Sequence, residues 1–548
     1  MDKNAFITFE FPPIDADSFF QKDPEVLRSF FFKSDEKYDS LKARDAYFLV
    51  GTKGSGKTMY AAYMCKCDED ISASRYLVKY EDYKNILDAI DKHIIRESDL
   101  KTIWKAILIV KILSCIGKPE LENFFGKSKI LKTLQALKDT EVIKKLVCDG
   151  FSPIEFSESQ KMTSTYSADA GANAGAGSAK AAVAETNENS SAFSTKSIEF
   201  VDSWRRYVNE VQECLKKVKL TKPVFLFVDG IDIRPQELHY QEYLKTVSAL
   251  IRASFELNKE VLVAETNFMK ITVLTRPDIL NKAGLPNLEC VLQDNSVVLE
   301  WNQFNSVQDI KYTGMYDMIN RVLSNIGHEP GESLQNTEKD VWAQDFGFDL
   351  IFRSETATRS SFEYSMILSV CRPRNFIKML IVLQETARTD KEKHLRLKDY
   401  FSFDRFQKKY SSYFIQTIRS EMSFEYEQDS ITLLMEFLKT FERTRFRYKY
   451  FKERMNVFSQ KQKLKAYFGD ELAILNLIYQ LNLICYFEPS GTVRWHYREQ
   501  SISNLTPSLN SYQIRDDSEF KFHNAVEKEL GVYVTKSRLR ERRRSFGY

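Results

Sequence analysis

Glycine and proline are scarce in this chain, with 19 glycines and 13 prolines among 548 residues. So few turn-forming residues argue against a turn-dense β-sandwich and favour long helices. The eight cysteines are scattered, and the six histidines form no HxxxH or HxxH pair. We therefore expect neither a disulfide framework nor a structural zinc site, and the composition fits a reduced cytoplasmic protein.

Net charge and long hydrophobic runs are also lacking. The 79 Lys and Arg residues against 76 Asp and Glu residues leave a net charge of only +3, so any nucleic-acid or membrane binding must come from a local patch. The most apolar helical run, residues 103–116, contains two lysines, and the N-terminus has no apolar signal segment. We expect no signal peptide and no membrane span. The length and the 43% hydrophobic content predict several domains with large cores.

Three of the few glycines fall within six residues. Residues 51–58 read Gly-Thr-Lys-Gly-Ser-Gly-Lys-Thr, the pattern GxxxxGK[ST], between an apolar run at 46–50 and a helical pattern that begins at Met59. Backbone amides can wrap phosphate oxygens only where no Cβ intrudes, and a helix N-terminus adds partial positive charge. We predict a nucleoside triphosphate site in which Lys57 contacts the β- and γ-phosphates and Thr58 holds Mg²⁺. The predicted binding residues of this loop are Gly51, Thr52, Lys53, Gly54, Ser55, Gly56, Lys57, Thr58 and Met59.

A second polar strand end follows the apolar run 224–228. Asp229 stands where a metal-site carboxylate is expected, so Thr58 and Asp229 are the predicted metal residues. Position 230 is glycine, where many ATPases have an acid. The nearest remaining carboxylate is Asp232, which we predict to be a general base or water-positioning residue. Asp232 could also be a helix N-cap, and the two roles are compatible.

Three further strand-like segments, at 75–80, 271–274 and 296–301, alternate with helical patterns. They predict an α/β fold with a parallel sheet of five or more strands. Thr275 or Arg276, directly after one of these strands, is a candidate sensor of the phosphates. For Arg276 the alternative is a salt bridge to Asp278.

Four segments together resemble a known family. Residues 51–58, 228–235, 276–278 and 371–377 resemble the FunZ-like group of bacterial P-loop ATPases, which is similar to the STAND and KAP NTPases. The resemblance covers roughly residues 20–530. It implies ATP as the nucleotide, ATP hydrolysis, and a role in bacterial anti-phage defence.

The resemblance also assigns roles to two arginines. It implies that Arg372 and Arg374 are the arginines of a helical lid, with Arg372 added to the nucleotide-binding residues. From their chemistry alone, two guanidinium groups at a helix start suit a phosphate or a carboxylate equally. The predicted catalytic residues are then Lys57, Asp229, Asp232, Arg276 and Arg374.

The expected domain order begins with a lead-in at 1–40 and a P-loop core at 41–305. A low-complexity insert at 163–196 interrupts this core, because its Ala, Gly, Ser and Asn residues cannot bury enough apolar area to order themselves. A helical lid at 306–400, a winged-helix-like domain at 401–505 and an extension at 506–548 with a basic tail follow. The winged-helix prediction rests on helical patterns at 431–441, 450–458 and 470–484 before a hairpin at 485–498. The third of these helices carries no Lys or Arg, which disfavours base reading.

The stretch 443–465 contains nine Lys or Arg residues against one acid, Glu453, with aromatic residues interleaved. It is either a solvated face or a surface for nucleic acid or an acidic protein. Our leading hypothesis is a Mg²⁺-dependent ATPase that acts as a switch on a protein partner, an effector chain or a homo-oligomer. The alternatives are a DNA-engaging motor or loader that uses 443–465, and a scaffold that keeps nucleotide as a structural ligand.

Overall fold

A computed structural model describes residues 3–91, 96–116, 220–263, 268–302, 313–326, 341–346, 358–390, 396–501 and 513–532, with a few shorter runs between them. The insert predicted at 163–196 and the basic tail beyond residue 532 lie outside the described residues. Helices and strands are numbered along the described part of the chain.

Five parallel strands form a central sheet. They are β1 (Phe48–Val50), β2 (Ser72–Leu77), β3 (Val224–Asp229), β4 (Met269–Thr275) and β5 (Ser296–Val298). Their order is β2-β3-β4-β1-β5. Because β3 and β4 are buried along their whole length, the sheet is covered on both faces. The predicted α/β class with a parallel sheet is confirmed, although β2 begins and β5 ends three residues earlier than expected.

Helices cover both faces of this sheet. Those described before residue 350 are α1 (Lys3–Thr8), α2 (Pro24–Phe30), α3 (Asp35–Lys42), α4 (Lys57–Cys67), α5 (Tyr80–Asp91), α6 (Leu100–Cys115), α7 (Tyr240–Leu257), α8 (Pro277–Lys282), α9 (Leu288–Asn295), α10 (Gly314–Ser324) and α11 (Val341–Asp345). One face packs on α5, α6 and α7 through buried residues such as Trp104 and Tyr243. The other face packs on α3 and α4 through Leu41 and Tyr60. No helix in the described ranges is long and apolar enough to cross a membrane.

A helical region follows the sheet. It contains a two-stranded ribbon of β6 (Phe352–Arg353) and β7 (Thr358–Arg359), then α12 (Ser361–Leu368), α13 (Pro373–Arg388) and α14 (Asp404–Met422). Between α12 and α13, Val370 and Cys371 have φ angles of 48° and 54°. This left-handed conformation is strained for a β-branched residue such as Val370. The strained turn leads directly into Arg372, which precedes α13 with Pro373 in its first turn.

The C-terminal part combines short helices with a four-stranded antiparallel sheet. Its helices are α15 (Gln428–Lys439), α16 (Tyr448–Val457), α17 (Lys461–Phe468), α18 (Glu471–Gln480), α19 (His496–Glu499) and α20 (Glu527–Leu530). The strands β8 (Arg445–Arg447), β9 (Ile484–Phe487), β10 (Val493–Arg494) and β11 (Glu519–Phe522) have the order β10-β9-β11-β8.

The structure differs here from the sequence-based expectation. The three expected helices and the β9–β10 hairpin are present, but α17, β8 and β11 were not predicted. The expected third helix ends at Gln480 instead of residue 484, because Asn482 turns the chain with a φ angle of 58°. The hairpin also lacks its long second strand, since α19 begins at His496.

One continuous hydrophobic core joins α12, α13 and α14 to the C-terminal sheet. His523 lies inside it without exposed surface, stacked on Phe414 with ring centroids 5.3 Å apart. Its Nδ1 accepts a hydrogen bond from the Ala525 amide at 3.1 Å, and its Nε2 lies 2.9 Å from the Ile367 carbonyl oxygen. The ring is therefore neutral, with the proton on Nε2. Burial lowers the pKa of His523 to about 3.

We predict that acid destabilises this core through His523. The unfolded histidine takes up a proton below its ordinary pKa of about 6.5, whereas the folded one does so only near 3, so stability falls as the pH drops through this interval. From about pH 7.5 to about pH 5 the expected loss is about 2 kcal/mol. Urea unfolding of the wild type and of His523→Gln, which can keep the bond to Ile367, measures it. Equal pH slopes in both proteins would contradict the prediction.

Candidate functional site

The connection from β1 to α4 is a glycine-rich loop. Gly54 and Gly56 have φ angles of 84° and 101°, a conformation that residues with a Cβ rarely adopt. A Cβ on Gly54 would lie 2.9 Å from the Cβ of Arg374, and the Arg374 amide donates a hydrogen bond to the Gly54 carbonyl at 3.2 Å. The loop therefore runs directly against the start of α13, and glycine is required at position 54.

The Lys57 side chain is buried at the first position of α4. Its ammonium donates to the carbonyl oxygens of Gly51 at 2.8 Å and Thr52 at 3.2 Å. Burial is the main reason that the pKa of Lys57 is lowered, while Asp232 and Asp229 favour the charged form. The loop thus keeps a desolvated cation in place through its own backbone.

The end of β3 lies beside this helix start. The Thr58 hydroxyl donates to Oδ2 of Asp229 at 2.9 Å, and the amide of Gly230 donates to Oδ1 at 2.8 Å. Burial raises the pKa of Asp229 above its ordinary value. A hydroxyl and a carboxylate side by side are hard oxygen ligands of the kind that Mg²⁺ prefers, together with water and phosphate oxygens. The two residues predicted to hold the metal are therefore adjacent.

Arg75 of β2 also reaches Asp229, and sequence analysis missed it. Its Nε lies 3.1 Å from Oδ2 of Asp229, and its Nη2 lies 2.5 Å from Oδ1 of Asp17. The guanidinium also lies over the Phe20 ring, 4.5 Å from the ring centroid. A charged residue inside an otherwise strand-like segment was the only signal in the sequence. Arg75 thus connects the N-terminal segment to the predicted metal residue.

These groups surround one cavity of about 600 Å³. Lys57, Thr58, Asp229, Asp232 and Arg75 line its polar end, where Arg374 faces the loop. Lys53, Gly54, Gly56 and Met59 line it too, whereas Gly51 and Thr52 line a smaller void of about 40 Å³ behind the loop. The carbonyl oxygen of Ser55 accepts a hydrogen bond from the indole of Trp301 at 2.8 Å.

The other end of the cavity is apolar. Its lining includes Pro12, Ile14, Phe30, Phe32, Met318, Val322 and Ile377. These residues come from the N-terminal lead-in, α10 and α13, so three separate parts of the chain close this end. A ligand with an apolar group and a charged chain matches the two ends of the cavity. The lining carries both signs of charge, with Lys53, Lys57, Arg75 and Arg374 beside Asp15, Asp17, Asp229 and Asp232.

Two of the predicted arginines do not line the cavity. Arg276 forms a bidentate pair with Asp278, with donor–acceptor distances of 2.9 and 2.6 Å, as the alternative interpretation foresaw. Arg372 pairs with Glu421, and both side chains are largely buried. Neither guanidinium group contributes to the surface of the 600 Å³ cavity, in contrast to Arg374.

The basic stretch 443–465 is partly neutralised in the fold. Arg445 and Arg447 pair with Glu519, Lys452 pairs with Asp516, and Lys465 pairs with Glu471. On α18, the side chain of Asn476 accepts a hydrogen bond from the Leu509 amide at 2.9 Å. The stretch therefore offers less free charge than its sequence suggests.

Comparison of the chain with protein-family models, with curated proteins and with solved structures finds no match in any of the three. Its function is therefore inferred from the residues around the cavity.

We predict that Arg75→Met destabilises the protein by about 3 kcal/mol, because it leaves the Asp229 carboxylate buried without its cationic partner. The double variant Arg75→Met/Asp229→Asn removes both charges and should recover most of this loss. Urea unfolding of the two single variants and the double variant measures the coupling between the residues. If the losses in the free energy of unfolding of the two single variants add up to that of the double variant, the ion pair contributes nothing to stability.

Proposed function

We propose that this chain is a Mg²⁺-dependent P-loop ATPase that acts as a nucleotide-controlled switch on a protein partner. The observation that carries the proposal is the convergence of Lys57, Thr58 and Asp229 at one end of a single cavity. The positive φ angles at Gly54 and Gly56 support the reading of the loop as a phosphate cradle.

The strand order gives further support. β4 lies between β1, which leads into the loop, and β3, which ends at Asp229. Ligands of open α/β sheets bind at the carboxyl ends of the strands. The glycine-rich loop after β1 and Asp229 at the end of β3 therefore lie at the same edge of the sheet, on either side of β4.

We assign the remaining roles by position. Lys57 binds the β- and γ-phosphate oxygens, and Arg374, against Gly54, stabilises the charge that develops on the transferred group. Mg²⁺ bound at Thr58 and Asp229 would supply charge neutralisation on the phosphate oxygens. Asp232 lines the same cavity and orients or deprotonates the attacking water. The apolar end, with Phe30 and Phe32, receives the base, which we take to be adenine.

The biological role follows the resemblance to the FunZ-like ATPases and remains part of the proposal. In this view the helical region 306–400 is the lid, and the region 401–505 is a winged-helix-like module that contacts a protein partner in anti-phage defence. The order of α15, β8, α16 to α18 and the β9–β10 hairpin supports a winged-helix relationship, while β11 between β9 and β8 is an additional strand.

We predict that Lys57→Ala lowers the affinity for ATP about 10- to 100-fold, because one charge-assisted contact to the phosphates is lost. Lys66→Ala is the matched control, since Lys66 lies on the same helix but donates to the Lys22 carbonyl outside the cavity. Calorimetric titration with ATP and Mg²⁺ measures both variants. Unchanged affinity in Lys57→Ala would reject the proposed site.

We further predict that Asp232→Asn keeps ATP affinity and loses about 100-fold or more in turnover, as expected for a residue that positions or activates water. The control is Glu237→Gln, which removes a nearby exposed carboxylate that does not line the cavity. Phosphate release under saturating ATP measures turnover. A wild type that binds ATP but releases no phosphate would identify a nucleotide-dependent scaffold instead.

A further inference from the structure

The turn between α14 and α15, residues 420–427, contacts the elements around the cavity along almost its whole length. Ser420 and Glu421 belong to the last turn of α14, and Gln428 begins α15. The contacts of this turn reach the loop after β1, the start of α13, the segment after β3 and the segment after β4.

The first contacts of the turn involve cations of the site. The Oγ of Ser420 accepts a hydrogen bond from the ammonium of Lys53 at 2.6 Å, and Lys53 belongs to the glycine-rich loop. The carboxylate of Glu421 pairs with Arg372. Because Arg372 is two residues before Arg374, this pair fixes the start of the helix whose second residue lines the cavity.

The middle of the turn is inserted into the core of the parallel sheet. Phe424 is 2% exposed and belongs to the same hydrophobic cluster as Val228 and Val273 of the sheet. Its ring packs edge-on against Tyr243 with a centroid distance of 5.6 Å. The guanidinium of Arg276 lies 5.2 Å from the centroid of the same ring. Phe424 therefore touches the residue that directly follows β4.

Arg234 fixes the backbone of the turn from the side of β3. Its guanidinium donates to the Ser423 carbonyl at 3.2 and 3.3 Å and pairs with Glu427 at 3.0 Å. The side chain of Arg234 is only 3% exposed, whereas that of Glu427 is 65% exposed, so the ion pair between them is open to solvent on the side of the carboxylate. Arg234 stands two residues after Asp232, which lines the cavity. A displacement of the segment that contains Asp232 and Arg234 would therefore displace the turn as well.

The far side of the turn contacts the C-terminal module. Tyr426 packs against Phe468 at the end of α17, with ring centroids 4.9 Å apart. In α15, which begins after the turn, Phe437 packs against Phe451 and Phe458 around α16. Residues 420–427 thus contact both the elements that surround the cavity and the C-terminal module.

We propose that residues 420–427 are the connection through which bound nucleotide is reported to the C-terminal module. This inference rests on the proposed nucleotide binding. A bound triphosphate would contact Lys53 of the loop and Arg374 of α13. The turn reaches these two elements through Ser420 and Glu421, so the ligand would clamp the turn as well. The clamped turn restrains α15, so that nucleotide binding is coupled to the order of the C-terminal module.

Hydrogen–deuterium exchange of the full chain, with and without ATP and Mg²⁺, tests this connection. In the wild type, ATP should slow amide exchange in the loop 51–58 and, by at least about fivefold, in α15. Phe424→Leu keeps an apolar side chain but loses the ring that contacts Arg276 and Tyr243. In this variant ATP should still slow amide exchange in the loop 51–58 but should no longer slow it in α15. Glu421→Gln, which preserves side-chain size, is a second variant with the same expected result should Phe424→Leu fold poorly.

The matched control is Phe406→Leu, a change of the same type in a buried residue of the first turn of α14, at the end of that helix opposite to the turn 420–427. It should keep both responses. The absence of any response in the wild-type loop would overturn nucleotide binding and this inference with it. A loop response without an α15 response in the wild type, or an α15 response that survives both turn variants, would overturn the connection alone and leave the ATPase proposal standing.

Discussion

The buried ammonium of Lys57 is the charge on which the carboxyl edge of the parallel sheet depends. Removing a cation from water is costly unless oxygen atoms replace the lost hydration. The Gly51 and Thr52 carbonyls do so here, and their orientation requires the backbone conformations that Gly54 and Gly56 provide. The same tight loop lets α13 approach closely, so that Arg374 reaches the cavity.

The turn at 420–427 joins the region of the parallel sheet to the C-terminal module. The turn at 420–427 fills the space beside β4 with Phe424 and is bonded through Arg234 to the segment after β3. Elements that line the polar end of the cavity therefore share a buried neighbour. Tightly packed interiors transmit small displacements instead of absorbing them. A displacement at one of these elements would therefore be passed to the turn.

Much of the sheet and of the polar site could be predicted because short contiguous segments of the sequence determine both. The runs at 46–50 and 224–228 are apolar and short, and the glycine spacing of the loop has a direct chemical reason. Arg75 was missed because its partners, Asp17 and Asp229, are far away in the chain. For the same reason the pairing of Arg372 with Glu421 was not foreseen, and β8 was missed because its partner β11 comes more than 70 residues later.

The central claim is that the glycine-rich loop binds a phosphate chain. Calorimetric titration with adenosine, AMP, ADP and ATP measures this directly. If the loop amides and Lys57 supply most of the binding energy, affinity rises with each phosphate that reaches them, and ATP binds at least about 100-fold more tightly than adenosine. Equal affinity for adenosine and ATP would mean that the apolar end of the cavity binds ligand without the loop, and would contradict the account.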